Sequence, residues 1–211
     1  VMNHATHWLA FCFGLALVAC TTPNPATPWT PLFDGETLAG WHATEFGGEG
    51  EITVVDGAMH FDMGSTMTGV TLAGPPPSGN YEVEVVAARI EGTDFFCGLT
   101  FPVGDQHLTL VLGGWGGSVC GLSSLDDDDA SRNATRTLKG FQTDRDYTAL
   151  VRVTDDAVKV LLDGEPFLET ALAGQELSLR PEVELCRPFG IASFQTRARI
   201  KSLRWRPLVT R

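Results

Sequence analysis

Residues 94–117 read DFFCGLTFPVGDQHLTLVLGGWGG. Phe95, Cys97, Leu99 and Phe101 share one parity while Asp94, Gly98 and Thr100 take the other, the period-two pattern of a strand with one buried face. Phe96 stands out as an aromatic on the polar side. In the second run Leu108, Leu110 and Leu112 take the core parity, and His107, Thr109, Gly113 and Trp115 project the opposite way. Residues 102–105 form the turn between them, with proline fixing one backbone angle and glycine freeing another. Paired as a hairpin, the two runs place Asp94, Phe96, Thr100, His107, Thr109 and Trp115 on one face among small glycines. Such a face suits a sugar, whose ring C–H groups stack on indole while its hydroxyls take short polar partners. The plainer alternative is a hydrogen-bonded surface histidine and a tryptophan that plugs a sheet end.

The same alternation extends along the chain. Residues 51–62 make a hairpin around Asp56-Gly57, and residues 74–79, Gly-Pro-Pro-Pro-Ser-Gly, make a loop. Residues 81–90 follow as a strand, with Tyr81, Val83, Val85 and Ala87 inward and Glu82 and Glu84 outward. Residues 119–124 read as a further strand, and residues 171–179 as a short helix without caps. Many short strands separated by turn signals define an all-β fold, a two-sheet antiparallel sandwich.

A chain of 211 residues allows one domain of this kind, large enough to fold without a metal or disulfide staple. The net charge of -11 is uneven: residues 21–88 hold nine acids and no Lys or Arg, while residue 89 onward holds all fifteen basic residues against seventeen acids. Nucleic acid is therefore not an expected partner. Residues 8–19 are an apolar run too short to span a bilayer but suited to a signal-peptide core. Leu17-Val18-Ala19-Cys20 resembles a bacterial lipobox, although residues 2–7 carry no Lys or Arg. The expected organisation is a signal peptide over residues 1–19, a lipidated Cys20 with a Thr/Pro-rich tether to residue 31, and a folded domain over residues 32–208. That address is the bacterial cell envelope, reached through a lipid anchor in the membrane, with secretion after ordinary signal cleavage as the alternative. Cys97, Cys120 and Cys186 then remain, spaced unlike any zinc site, and read as buried free thiols.

Residues 32–41, LFDGETLAGW, resemble the opening of the 3-keto-disaccharide hydrolase domain family. Residues 147–167, YTALVRVTDDAVKVLLDGEPF, and residues 189–208, FGIASFQTRARIKSLRWRPL, are similar to later strands of that family and of other lectin-like sandwiches. The resemblance covers residues 32–208. It implies a concanavalin A-like jelly roll whose sugar site lies on one sheet.

It also implies a reaction. A ketone at C3 of a sugar acidifies the C2 hydrogen, so a base removes it and the anomeric substituent leaves through an enolate. Strand parity, and not a matched family motif, makes His107 the candidate base or metal ligand, Asp94 its orienter or partner, and Trp115 the sugar platform, with Phe96, Thr109 and Thr100 as further contacts. A divalent metal ion is the candidate cofactor. The alternative function is a non-catalytic carbohydrate-binding module. Glu82 and Glu84, about 7 Å apart on one strand face, form the other carboxylate pair, although alternating glutamates are ordinary on a solvent face. Asp126, Asp127, Asp128 and Asp129 read as a solvated acidic turn rather than a calcium loop.

Overall fold

The computed structural model describes residues 27–209, and the signal peptide and Cys20 expected from the sequence lie outside them. Its first strands are β1 (Thr30–Pro31), β2 (Trp41–Ala43), β3 (Ile52–Val55), β4 (Ala58–Phe61) and β5 (Met67–Leu72). Then come β6 (Tyr81–Gly92), β7 (Cys97–Val103), β8 (Gln106–Gly114), β9 (Val119–Ser123) and β10 (Thr137–Leu138). β11 (Tyr147–Val153), β12 (Ala157–Leu162), β13 (Glu165–Ala171), β14 (Gly190–Phe194) and β15 (Thr196–Pro207) complete the set. One sheet runs β13-β12-β11-β6-β15-β4-β3, with β1 added beside β15; the other runs β10-β9-β8-β7-β14-β5-β2. Every pairing is antiparallel, as in the expected jelly-roll sandwich.

The alternating residues explain why two sheets close on each other. Val83 and Val85 of β6 lie opposite Val151 and Ala149 of β11, and all four are fully buried. From the facing sheet come Leu99 and Phe101 of β7 and Leu108, Leu110 and Leu112 of β8, which join the same core. Burying each such side chain contributes about 1.5–3 kcal/mol, so the inner faces hold the sheets together. The Tyr81 hydroxyl donates to the Pro102 carbonyl, a polar tie from one sheet to the other. Cys97, Cys120 and Cys186 are free and buried, and burial pushes their thiols up to about 12, 11 and 12.

Several expectations change. Glu82 is not on a solvent face. Its carboxylate is fully buried between Arg152 of β11 and Arg206 of β15, its direct cross-strand neighbours. Glu84 pairs likewise with Arg204, and Trp29 lies over both Arg204 and Arg206. The end of the expected tether thus belongs to the fold, because Thr30–Pro31 pairs with β15. Residues 171–179 form no helix; the helical turn is a 3-10 helix, Pro181–Cys186, opened by the proline that suits a helix start. Asp129 is buried rather than solvated, held by Ser131 and Arg180.

Candidate functional site

The outer face of the seven-stranded sheet carries the residues of opposite parity to the core. Thr100 and Thr109 lie opposite each other and share a hydrogen bond of 2.9 Å. The 3-10 helix sits on this face, where Val183 and Cys186 pack with Met67 and Ala192 in a small second apolar cluster. Between the start of that helix, the Trp115 turn and Phe95 lies a cavity of about 200 Å³. That is room for a single sugar ring, below the roughly 300 Å³ at which drug-sized sites begin. Val111, Met67, Phe95 and Phe194 give it an apolar floor, and Asp94, Thr109, Trp115, Ser123, Arg180 and Glu182 give it polar walls.

Each wall has a local cause. Trp115 sits in a glycine-flanked turn at φ +49, a left-handed conformation that lifts its indole off the sheet. Trp115 is 39% exposed, so part of it stays open to a ligand. Asp94 caps the segment before β7: its Oδ1 accepts from the Phe95 amide at 2.8 Å, and its Oδ2 from the Gly116 amide at 3.3 Å. Arg180 precedes the 3-10 helix and donates through Nε and Nη2 to Glu182 at 3.2 and 2.8 Å, and through Nη1 to Asp129. Its guanidinium carbon lies 5.9 Å from the Trp115 ring centroid. The hydrogen bond with Glu182 raises the Arg180 pKa and lowers that of Glu182, so both are charged at neutral pH. Burial pushes the Asp129 carboxyl up, but Ser131 and Arg180 outweigh it and leave it lowered.

Of the six residues expected on one face, Asp94, Thr109 and Trp115 meet at the cavity. Phe96 does not. It is fully buried in the core, 4.9 Å from Phe141 and 6.3 Å from Tyr147 between ring centroids. The physical reason is that β7 begins only at Cys97, so the irregular segment before it breaks the alternation and exchanges the two phenylalanines. Phe95 takes the outer face instead, stacked on Phe194 at 5.9 Å. Thr100 is buried beneath the 3-10 helix, beside Cys186. His107 shares the parity of Thr109 but lies two residues, about 7 Å, farther along β8. It does not line the cavity and stands instead near Arg187 and Glu184. Burial lowers its pKa, Arg187 lowers it further and Glu184 opposes this; Nδ1 is buried without a hydrogen-bond partner.

Sequence reasoning missed Arg180 and Glu182. Their one local signal is the Arg-Pro-Glu run at a helix start, which does not reveal which face of which sheet the helix covers. Among the described residues no three His, Cys, Asp or Glu side chains form a metal-binding group. The cavity offers two carboxylates, one already bound to a guanidinium, and this set does not fit a hard cation that needs six oxygens.

Two antiparallel sheets with an apolar, indole-walled cavity on one outer face define a jelly-roll sandwich of the galectin and concanavalin A class. A family model described as a 3-keto-alpha-glucoside-1,2-lyase-like domain matches residues 28–204, and the chain belongs to that family. The resemblance read at residues 32–41 therefore holds, and the domain is carbohydrate-related. No curated relative matches the sequence. Among solved structures, a galectin-like protein of unknown function from Bacillus subtilis superposes with a TM-score of 0.61 at 14% identity, covering 90% of this chain and 99% of that one. The Crh5 transglycosylase in complex with NAG gives 0.60 at 12% identity, covering 88% of each chain. The carbohydrate-binding module CBM66 from Bacillus subtilis gives 0.52 at 10% identity, covering 78% and 93%. One of these neighbours is an enzyme and another a binding module, so the shared fold does not decide between those roles.

Proposed function

We propose that this cavity binds one ring of a 3-keto-glycoside and breaks its glycosidic bond by elimination. The observation that carries the reading is the meeting of a carboxylate, a guanidinium and an exposed indole around space for a single ring. The Trp115 indole takes the apolar ring face. Asp94 accepts the C2 proton, and the electron pair left behind becomes an enolate across C2 and C3. Each Nη of Arg180 retains an N–H beyond its carboxylate bonds, which can donate to the C3 oxygen as charge develops there. Collapse of the enolate restores the C3 carbonyl, forms the C1–C2 double bond and breaks C1–O, and the departing oxygen takes a proton from water. Asp94 replaces His107 as base because it, and not the histidine, lines the cavity. Anchoring in the bacterial envelope through Cys20 belongs to the same proposal.

A second reading, non-catalytic carbohydrate binding, has its own support. Both Asp94 oxygens already accept backbone amides, and Arg180 and Glu182 neutralise each other. Incubation with 3-keto-trehalose and with unmodified trehalose, following released glucose, decides between them. Release from the keto sugar alone supports elimination. Binding without release leaves the lectin-like role, and neither binding nor release refutes both.

A further inference from the structure

Arg89 lies on the inward parity of β6, in line with Tyr81, Val83, Val85 and Ala87, where a hydrophobic residue would continue the core. It is buried, and its guanidinium carbon lies 5.4 Å from the Phe96 ring centroid and 5.9 Å from that of Phe141. One nitrogen, Nη2, donates to three backbone carbonyls, those of Asp94, Gly113 and Gly117, each at 3.0 Å. Nε is buried without a partner. A buried guanidinium is costly, and a structural core position would be filled more cheaply by a leucine. What the arginine provides is a connection. Its three acceptors are Asp94 itself, Gly113 near the end of β8 and Gly117 in the turn that carries Trp115.

The glycines fit the same device. A Cβ on Gly113 would stand 2.3 Å from Nη2, and one on Gly117 3.4 Å from Nη1, and both residues have positive φ. The turn that presents Trp115 is therefore shaped around this guanidinium.

We infer that Arg89 is the positioning residue of the carbohydrate site, holding the Asp94 segment and the Trp115 turn at a fixed separation so that base and sugar platform face one ring. This rests on the proposed function for its ligand but not for its clamp. Arg89→Met keeps the apolar stem and removes the donors; Arg89→Lys returns an ammonium with three N–H groups that ends one bond short of Nη2.

Two readouts test it. Hydrogen exchange needs no sugar: in Arg89→Met the amides of residues 93–96 and 113–118 should lose protection together, while β11 and β12 stay protected. The second is KM for 3-keto-trehalose, or Kd if it is bound without turnover, measured well below Tm. Arg89→Met and Trp115→Ala should each raise it about tenfold, the double variant by little more than either alone, and Arg89→Lys, whose ammonium stops short of Nη2, should recover only part of the loss. Unchanged protection, or protection lost across the whole sandwich, overturns the clamp. Additive effects overturn its action through Trp115. If Arg89→Met does not fold, Gly113→Ala, which displaces Nη2 from the other side, must give the same paired loss. A wild-type protein that ignores both sugars refutes the proposed function and leaves the exchange result to decide the clamp.

Discussion

Replacing Glu82 by alanine should weaken the fold and leave the site untouched. The carboxylate is 0% exposed; Arg152 binds its Oε1 at 2.7 and 2.6 Å, and Arg206 binds its Oε2 at 2.7 and 2.5 Å. Removing one partner of a fully buried ion pair costs about 3–5 kcal/mol, because the other charge stays desolvated. Here the orphaned arginines are 44% and 21% exposed, so water recovers part of that cost, and about 2–4 kcal/mol is expected. For a domain of this size each kcal/mol moves Tm by about 2–4 °C, which places the drop near 10 °C. Glu84 is the internal control. It is 17% exposed and holds only Arg204, itself 41% exposed, so Glu84→Ala should cost about 1 kcal/mol or less. Urea unfolding of the two variants measures the difference, and glucose release from 3-keto-trehalose measures the site. Equal losses of stability would refute the burial argument. Lost turnover in folded Glu82→Ala would revive this carboxylate pair as the catalytic one.

Asp94→Asn keeps the size of the side chain and one acceptor oxygen, so binding of the keto sugar should persist while kcat falls by at least about 100-fold, the usual contribution of a positioned base; single-turnover kinetics would show it, and retained turnover would remove Asp94 from the role. Trp115→Ala should weaken affinity for either sugar about tenfold with little change in Tm, since the exposed indole contributes more to ligand than to fold. For His107 the folded pKa is lowered, so the unfolded chain binds its proton first; this contribution to stability is present above the unfolded value of 6.5 and lost as pH falls below it. Melting curves from pH 7.5 to 5 should show that loss, and His107→Gln should reduce the slope without changing turnover at pH 7.5.

The sandwich was legible because its strands obey period two over long stretches: Leu108, Leu110 and Leu112 face the core, as do Tyr81, Val83 and Val85. Asp163-Gly164 and Asp56-Gly57 both take positive φ between paired strands, so these turns too could be read from residue type. Family membership was visible at residues 32–41. The site was legible only in part. Asp94, Thr109 and Trp115 come from the quoted stretch, but the exchange of Phe95 and Phe96 depends on where hydrogen bonding to β8 begins, which no local pattern states. Arg180 reaches the cavity from a segment 65 residues beyond Trp115, across a crossover that one sequence does not reveal. Glu82 was misread for a related reason: its arginine partners flank it only once β11 and β15 are known to lie on either side of β6.

The misreadings and the site have one origin. A regular strand can present side chains only at fixed two-residue intervals on a shared face, and a cavity for a sugar ring needs groups that approach from different directions. The chain meets that need where it departs from the ladder. Residues before Cys97 leave the strand so that Asp94 and Phe95 both reach the outer face, and the register of β8 against β9 shifts between Val111 and Gly114 so that the following turn lifts Trp115. At both departures backbone carbonyls turn toward Arg89, which gathers three of them on one nitrogen. Local rules fail most often where function is carried, and here the failures lie side by side, tied by a single buried charge. Loosening that charge should therefore disturb both walls of the cavity before it disturbs the sheets.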